Sequence, residues 1–106
     1  MSEQPKARPT RSTIAARAPW LPAEWEPADV SSIQALARGD ANEEQQKRAL
    51  DWIINSACGT YEVSFRPGGA DGERDTCFAE GRRFVGSQIV KAMKISLYAL
   101  RNKENA

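Results

Sequence analysis

The feature that most constrains this sequence is an amphipathic stretch near its C-terminal end, residues 75 to 101, which predicts a long helix with Asp75 as its N-cap. At about 100° per residue, its apolar positions fall on two adjoining sides of the helix. The first side holds Phe78, Gly81, Arg82, Val85, Ile89, Ala92, Met93, Ser96 and Leu100, and the second holds Cys77, Phe84, Ile95 and Tyr98. Because a helix with two apolar sides needs two partners, we predict that the first side packs in the core and the second contacts another chain.

Two shorter helices precede this one. Apolar residues recur at the spacing of one helical face over 28–38 and again over 41–58, and both segments are predicted helices. Asp40 is the predicted N-cap of the second helix, with Glu43 as the reciprocal capping partner.

Together these segments predict a small, mainly α domain of about three helices over residues 28 to 103. Residues 61 to 65 alternate apolar and polar side chains, which is typical of a short extended or β segment, but one such run cannot complete a sheet. Residues 1 to 18 combine four basic residues with two prolines and almost nothing apolar. This composition predicts a flexible basic arm outside the domain.

Residues 19 to 27, PWLPAEWEP, form a segment that we call the strap. Its prolines forbid a continuous helix, yet its two tryptophans and its leucine are too apolar for a free linker, so we predict that it lies across a groove on this chain or on a neighbour. Trp52 lies off the apolar stripe of its helix, about 160° from Ile54, which indicates a second contact, either with the strap or with another subunit. The predicted partner-binding residues are Trp20, Leu21, Trp25, Trp52 and Phe84.

The size of the helical domain favours self-association. A domain of 60 residues buries only roughly 60% of the surface of its unfolded chain, and fewer than about 90 residues bury little more. Such a domain is marginally stable as an isolated monomer. We therefore expect a homo-oligomer, or an assembly with other proteins.

The net charge of +1 conceals a segregation of charge along the chain. Residues 19 to 80 carry five basic and twelve acidic side chains, whereas residues 81 to 106 carry six basic and one acidic, and the first 18 residues are basic as well. Charge pairing within or between chains explains this pattern, and contact of the basic ends with nucleic acid is the alternative. The phosphate-binding residues of that alternative are Arg11, Arg17, Arg83, Lys94 and Arg101.

The sequence offers little for catalysis. It contains no histidine, which removes the usual general base and the commonest metal ligand. Cys58 and Cys77 have no companion ligand pair, and we expect both to be reduced and packed. We therefore expect no enzyme, no metal, no cofactor and no small-molecule substrate. No apolar run approaches the roughly 20 residues that span a bilayer, and no signal peptide is evident, so we expect a cytoplasmic protein without membrane contact.

Arg82 lies on the predicted core side of the last helix, where an unpaired guanidinium would be very unfavourable. We predict that Arg82, like Glu80, is a structural polar residue, and that it pairs with an acid such as Asp51 or Glu62. A role in phosphate binding is the alternative.

Gly81 and Gly86 interrupt the same helix, and each costs roughly 1 kcal/mol relative to alanine. Close approach of another backbone is the simplest reason for this cost. A kink at Gly86, or no role for either glycine, are the alternatives.

The segments ALDWIINSACGTYEVSF and CFAEGRRFVG resemble a small domain of tailed bacteriophages that is named after a protein of a Bordetella podophage. In that family, a helix that ends in a Cys-Gly step leads to an aromatic extended stretch and then to a helix with a Glu-Gly-Arg-Arg-x-x-Gly run. The matching positions are Cys58, Gly59, Phe65, Glu80, Gly81, Arg82, Arg83 and Gly86. The resemblance covers the central part of the chain and implies a phage genome, near genes for head assembly and DNA packaging. It implies no established activity and no catalytic residue.

We therefore expect a non-enzymatic bacteriophage protein, associated with the virion or acting in head assembly or DNA packaging through contacts with its own copies or with other phage structural proteins. A nucleic-acid-binding accessory and a phage factor that binds a host protein are the alternatives. The expected location is the cytoplasm of the bacterial host, with the virion as the alternative.

Overall fold

The structure, a computed structural model, describes residues 18 to 104 of the 106-residue chain. Its elements are, in order, α1 (Pro27–Arg38), α2 (Glu43–Asp51), a π-helical segment (Trp52–Ala57), α3 (Gly69–Lys94) and α4 (Leu97–Glu104). No β-strand occurs in this part of the chain, and residues 61 to 65 form an extended loop. The predicted small, mainly α domain is confirmed. The predicted basic arm, apart from Ala18, lies outside the described residues.

α1 and α2 pack against each other as a helical hairpin. The N-cap predicted for α2 is wrong, because Asp40 forms an ion pair with Arg38 at 3.3 Å instead of capping the helix. Asn42 is the N-cap, and its side chain accepts a hydrogen bond from the Gln45 backbone N–H at 2.8 Å. The Gln45 side chain, rather than that of Glu43, accepts in return from the Asn42 N–H. The helix therefore begins two residues later than predicted.

Small and charged side chains make the contact between α1 and α2. Ala35 and Ala49 are buried between the helices, and Asp29 is buried as well. The Arg48 guanidinium joins the two helices, since its Nε donates to Asp29 Oδ1 and its Nη2 donates to Glu26 Oε2, each at 2.9 Å. These paired carboxylates stabilise the start of α1 against the middle of α2.

The helix does not end with α2 but widens into the π-helical segment. There the Cys58 N–H donates to Ile53 O, five residues back, at 3.0 Å. Thr60 closes the segment, because both its N–H and its hydroxyl donate to Ile54 O. The helix predicted over 41–58 is thus close to correct in extent, but its last part is wider than an α-helix.

α3 begins at Gly69, well before the predicted start at Asp75. Its first turn has no side-chain cap. The preceding loop is instead tied to the helix by Thr76, whose hydroxyl accepts from the Arg66 N–H and donates to Gly72 O, each at 2.8 Å. This tertiary anchor lets a glycine-rich stretch start the helix despite its low helix propensity.

The predicted helix over 75–101 is also interrupted before its end. Ile95 is extended, with ψ of 143°, and separates α3 from α4. Ser96 accepts a hydrogen bond from the Ala99 N–H at 3.2 Å, which caps the first turn of α4. None of the helices in residues 18 to 104 is both long enough and apolar enough to cross a membrane.

α3 packs against the π-helical segment, and its buried residues are small and spaced by seven: Gly72, Ala79 and Gly86. Gly72 lies against the loop at Arg66 and Pro67, and Gly86 lies against Cys58 and Thr60. The predicted core side of this helix is therefore wrong, and Phe78 and Val85 are each 49% exposed. The reason is the closeness of the contact. A Cβ atom at Gly86 would overlap Thr60 Oγ1 and would lie 2.9 Å from Cys58 Cβ, so only glycine fits there.

An alanine at Gly86 is expected to destabilise the domain, whereas an alanine at Gly81 is not. Because the new methyl group has no room, Gly86→Ala should lower the free energy of unfolding by about 2 kcal/mol. The Cβ position of Gly81 meets no heavy atom within 4 Å, so Gly81→Ala is the matched control and should raise it by up to about 1 kcal/mol. Urea denaturation of dilute, monomeric protein, followed by circular dichroism, measures both variants. Equal effects of the two variants would contradict the close contact at Gly86.

Candidate protein-interaction surface

The strap folds back onto its own chain. Trp25 and Trp52 contact each other with ring centroids 5.9 Å apart, and Trp52 Nε1 donates to Glu24 O at 3.0 Å. At the other end of the strap, Pro19 is buried and its carbonyl accepts from Arg82 Nη1 at 3.0 Å. Of the two contacts predicted for Trp52, the structure contains the one with the strap.

Arg82 joins the strap to the end of the π-helical segment. Its Nε and Nη2 donate to Ala57 O at 3.0 and 2.7 Å, and Nη2 also donates to Ser56 O at 3.1 Å. These bonds run to main-chain carbonyls rather than to the predicted carboxylates of Asp51 or Glu62. The carbonyls at the end of a helix lack intrahelical donors and carry partial negative charge, so they suit the planar fork of a guanidinium.

Glu80 forms a second polar contact on the neighbouring side of α3. It accepts from Arg83 Nε at 2.9 Å and from the Ser64 hydroxyl, which ties the extended loop to the helix. The hydrogen bond from Arg83 is the main cause that lowers the pKa of Glu80, and the bond from Ser64 adds to it. Arg83, one of the predicted phosphate-binding residues, is thus held by a carboxylate.

The strap and α3 enclose a small cleft, lined in part by Cys58, Glu62, Arg66 and Arg82. Its volume of about 40 Å³ is far below the roughly 300 Å³ at which small-molecule sites begin. Within residues 18 to 104, no group of three or more His, Cys, Asp or Glu side chains is placed to hold a metal ion. The arrangement around the cleft holds the strap in position.

The side of α3 opposite its buried residues is exposed to solvent. Nine exposed residues of α3 lie there, within about 60° of Gly81 around the helix, and Ala70, Arg74 and Ala92 are the ones nearer its ends. We call the central part of this surface the Gly81 face, and it consists of Cys77, Phe78, Gly81, Phe84, Val85 and Gln88. Phe84 is 66% exposed. An apolar helix side of this kind is typical of a protein contact surface.

Three of the other predicted partner-binding residues lie on the strap, and Trp52 lies in the π-helical segment beneath it. Trp20 is 60% exposed, Leu21 is exposed, and Trp25 is 63% exposed although one side of its ring meets Trp52. Trp52 itself is half-buried. The structure therefore divides the predicted set between the outer side of the strap and the Gly81 face.

The predicted phosphate-binding residues do not form one described surface. Arg11 and Arg17 lie outside the described residues. Lys94 and Arg101 are exposed near the C-terminal end, with Lys91 and Lys103 nearby in sequence.

Sequence reasoning missed two features of this region. The heptad of small residues in α3 was a readable signal for its buried side, but the larger apolar residues outweighed it. The prediction that both cysteines are packed is wrong for Cys77, which is exposed, whereas Cys58 is buried, and both thiols are free. Cys77 belongs to the Gly81 face, so its exposure follows from the same rotation of α3.

Comparisons with known proteins give no match: a scan against models of protein families and searches of curated proteins and of solved structures all return nothing similar. The resemblance to the tailed-phage domain stays a prediction.

Replacing Arg82 by lysine is expected to loosen the strap. Lysine keeps the charge but cannot reach three carbonyls at once, so Arg82→Lys should lower the free energy of unfolding by about 2 kcal/mol. Tryptophan fluorescence should shift to the red, because Trp25 and Trp52 become more solvated. Arg83→Lys is the control and should leave the urea midpoint and the fluorescence unchanged. A native-like spectrum for Arg82→Lys would show that the strap is held by other contacts.

The pKa of Glu80 is expected to lie below its ordinary value of 4.5. A carboxylate with a lowered pKa stabilises the fold above its ordinary pKa, and this contribution is lost as the pH falls through the folded-state value. Arg83→Gln should raise the pKa of Glu80 more than Ser64→Ala does, since Arg83 is the larger cause. An NMR titration of the Glu80 side chain measures all three proteins. The reverse order of the two variants would contradict the assignment.

Proposed function

We propose that this chain is a non-enzymatic protein of a tailed bacteriophage that acts in head assembly or DNA packaging through protein–protein contacts. The observation that supports this proposal most is the Gly81 face, where two phenylalanines and a valine on one helix remain exposed. Burying them against another protein would gain the hydrophobic free energy that the monomer leaves unused. The proposed place of action is the cytoplasm of the bacterial host, with the virion as the place where the assembled protein remains.

The contacts of the polar groups favour a role in protein–protein binding over a role in catalysis. The guanidinium of Arg82 is engaged by carbonyls, and Glu80 is engaged by Arg83 and Ser64, so both serve the fold. The cleft beside them admits little more than water. Large exposed aromatic residues are the type that dominates binding energy in protein interfaces.

The strap supplies a second surface for a different partner. Trp20 and Leu21 follow Pro19, which is held by Arg82, so their backbone is fixed before any partner binds. A preorganised aromatic residue loses less conformational entropy on binding than one on a free linker. We assign the outer side of the strap to another phage structural protein.

The phage setting rests on the motif, and the structure indicates what the motif residues do. Gly86 lies against Thr60 and Cys58 in a close contact between α3 and the turn at residues 58 to 60. Arg82 caps the π-helical segment, and Glu80 and Arg83 pair on the helix surface. These residues maintain the fold, and their contacts add no reaction to what the resemblance implies.

Nucleic-acid binding is the weaker proposal. Arg83 is paired with Glu80. The exposed cations lie near the end of α3 and in α4, whereas the aromatic residues of the strap lie before α1. A phosphate-binding surface needs several free cations in register.

The test is to follow the full chain, tagged at its C-terminus, through particle assembly in infected cells. Quantitative mass spectrometry of purified proheads and virions should find it at a fixed copy number. Trp20→Ser should reduce that number severalfold, because the exposed ring no longer anchors the partner. Gln34→Ser, at an exposed position of α1, is the control and should leave it unchanged. Absence of the native chain from proheads, virions and packaging complexes would refute the proposed function.

A further inference from the structure

We propose that α3 pairs with α3 of a second copy of this chain, antiparallel, about a twofold axis that passes beside Gly81. This inference rests on the proposed function, since it assigns the self-association of the protein to the Gly81 face.

No contact within the single chain explains why residue 81 is a glycine. A Cβ at Gly72 would lie 2.7 Å from Arg66 O, and a Cβ at Gly86 would overlap Thr60, so contacts within the chain require both of those glycines. A Cβ at Gly81 would meet no heavy atom within 4 Å. Glycine inside a helix still costs roughly 1 kcal/mol relative to alanine. Close approach of a helix from another molecule would explain why a glycine is present at this position.

The residues around Gly81 have the arrangement that such an approach needs. Phe78 and Phe84 are three residues before and after it, and they lie about 60° to either side of it around the helix. Gly81 is therefore the floor of a groove with an aromatic wall on each side. At the level of Gly81, a second helix can approach to the short end of the 8–10 Å range of interaxial distances, because glycine carries no side chain at the point of closest approach.

A twofold axis makes the two grooves complementary. In an antiparallel pair centred near Gly81, Phe78 of one copy lies level with Phe84 of the second copy, but on the opposite side of the seam. The two rings then interleave rather than collide. Cys77 and Val85 stand in the same relation, so one apolar patch serves as both halves of an isologous interface.

Charge selects the antiparallel orientation. Glu73 and Lys91 are both exposed and are 18 residues apart, which is five helical turns, so they lie on the same flank at opposite ends of the Gly81 face. An antiparallel twofold pair brings Glu73 of each copy to within about 3 Å, along the axis, of the level of Lys91 of the second copy. In a parallel twofold pair, Glu73 lies level with Glu73 of the second copy but on the opposite flank of the seam, and Lys91 is about 27 Å further along the axis. The antiparallel pair therefore gains two salt bridges that the parallel pair lacks.

The experiment measures the mass of the full chain in solution by sedimentation equilibrium. The native chain should be a dimer at about 100 μM, and Gly81→Arg should raise the dissociation constant more than about 100-fold, because it fills the groove and places like charges at the axis. Ser87→Arg adds the same side chain at an exposed position of α3 outside the Gly81 face, and it should remain dimeric. Circular dichroism and thermal melting establish that both variants are folded.

Charge reversal tests the orientation. At low salt, Glu73→Lys and Lys91→Glu should each weaken the dimer roughly tenfold, since each creates two repulsive pairs. The double variant restores both pairs and should return to within about threefold of the native dissociation constant. These surface changes leave the buried contacts of α3 untouched.

A monomeric native chain at about 100 μM, a Gly81→Arg dimer as tight as the native one, or a double charge variant weaker than both single variants would each overturn the pairing. These outcomes are separable from a failure of the proposed function. A chain that is monomeric but present in particles refutes only the pairing, and a chain that dimerises but is absent from particles refutes only the proposed function.

Discussion

The rest of the structure depends on the close contact between α3 and the turn at residues 58 to 60. Thr60 is fixed by two hydrogen bonds to Ile54 O, and its side chain occupies the space where Gly86 would carry a Cβ. One turn earlier on α3, Arg82 caps the carbonyls of the π-helical segment and holds Pro19 of the strap. A single junction thus sets the rotation of α3, the end of the preceding helix and the position of the strap.

That junction explains why large apolar residues lie on the outside. A helix that packs through Gly72, Ala79 and Gly86 turns its phenylalanines away from the core. The buried apolar residues of the described chain are correspondingly small, with Ile54 the largest of them. A small core yields limited stability, so burial of the Gly81 face against another protein would stabilise the fold as well as form the assembly.

Prediction from the sequence succeeded where local signals decide. α1 and the extent of the helix that follows it could be predicted because periodicity and terminal glycines act over a few residues. Prediction failed where a contact between residues distant in sequence determines the structure. The start of α3 at Gly69 depends on Thr76 binding the Arg66 backbone, and that contact outweighs the poor helix propensity of the glycine-rich stretch. The candidate surface was predicted in part: Phe84 and the strap tryptophans were named, but Phe78 and Val85 were assigned to the core.

Sequence alone was enough to show that the chain forms a mainly α domain, that the strap cannot be one continuous helix, and that the last long helix has apolar residues on two sides. These properties follow from periodicity, proline chemistry and composition, which are local. Only the tertiary structure decided which side of α3 is buried and what Arg82 binds. The two apolar sides of this helix have similar hydropathy, so hydropathy does not show which side is buried. The buried side is the one that another part of the backbone can approach most closely. That distance depends on both packed elements and is not encoded in either element alone.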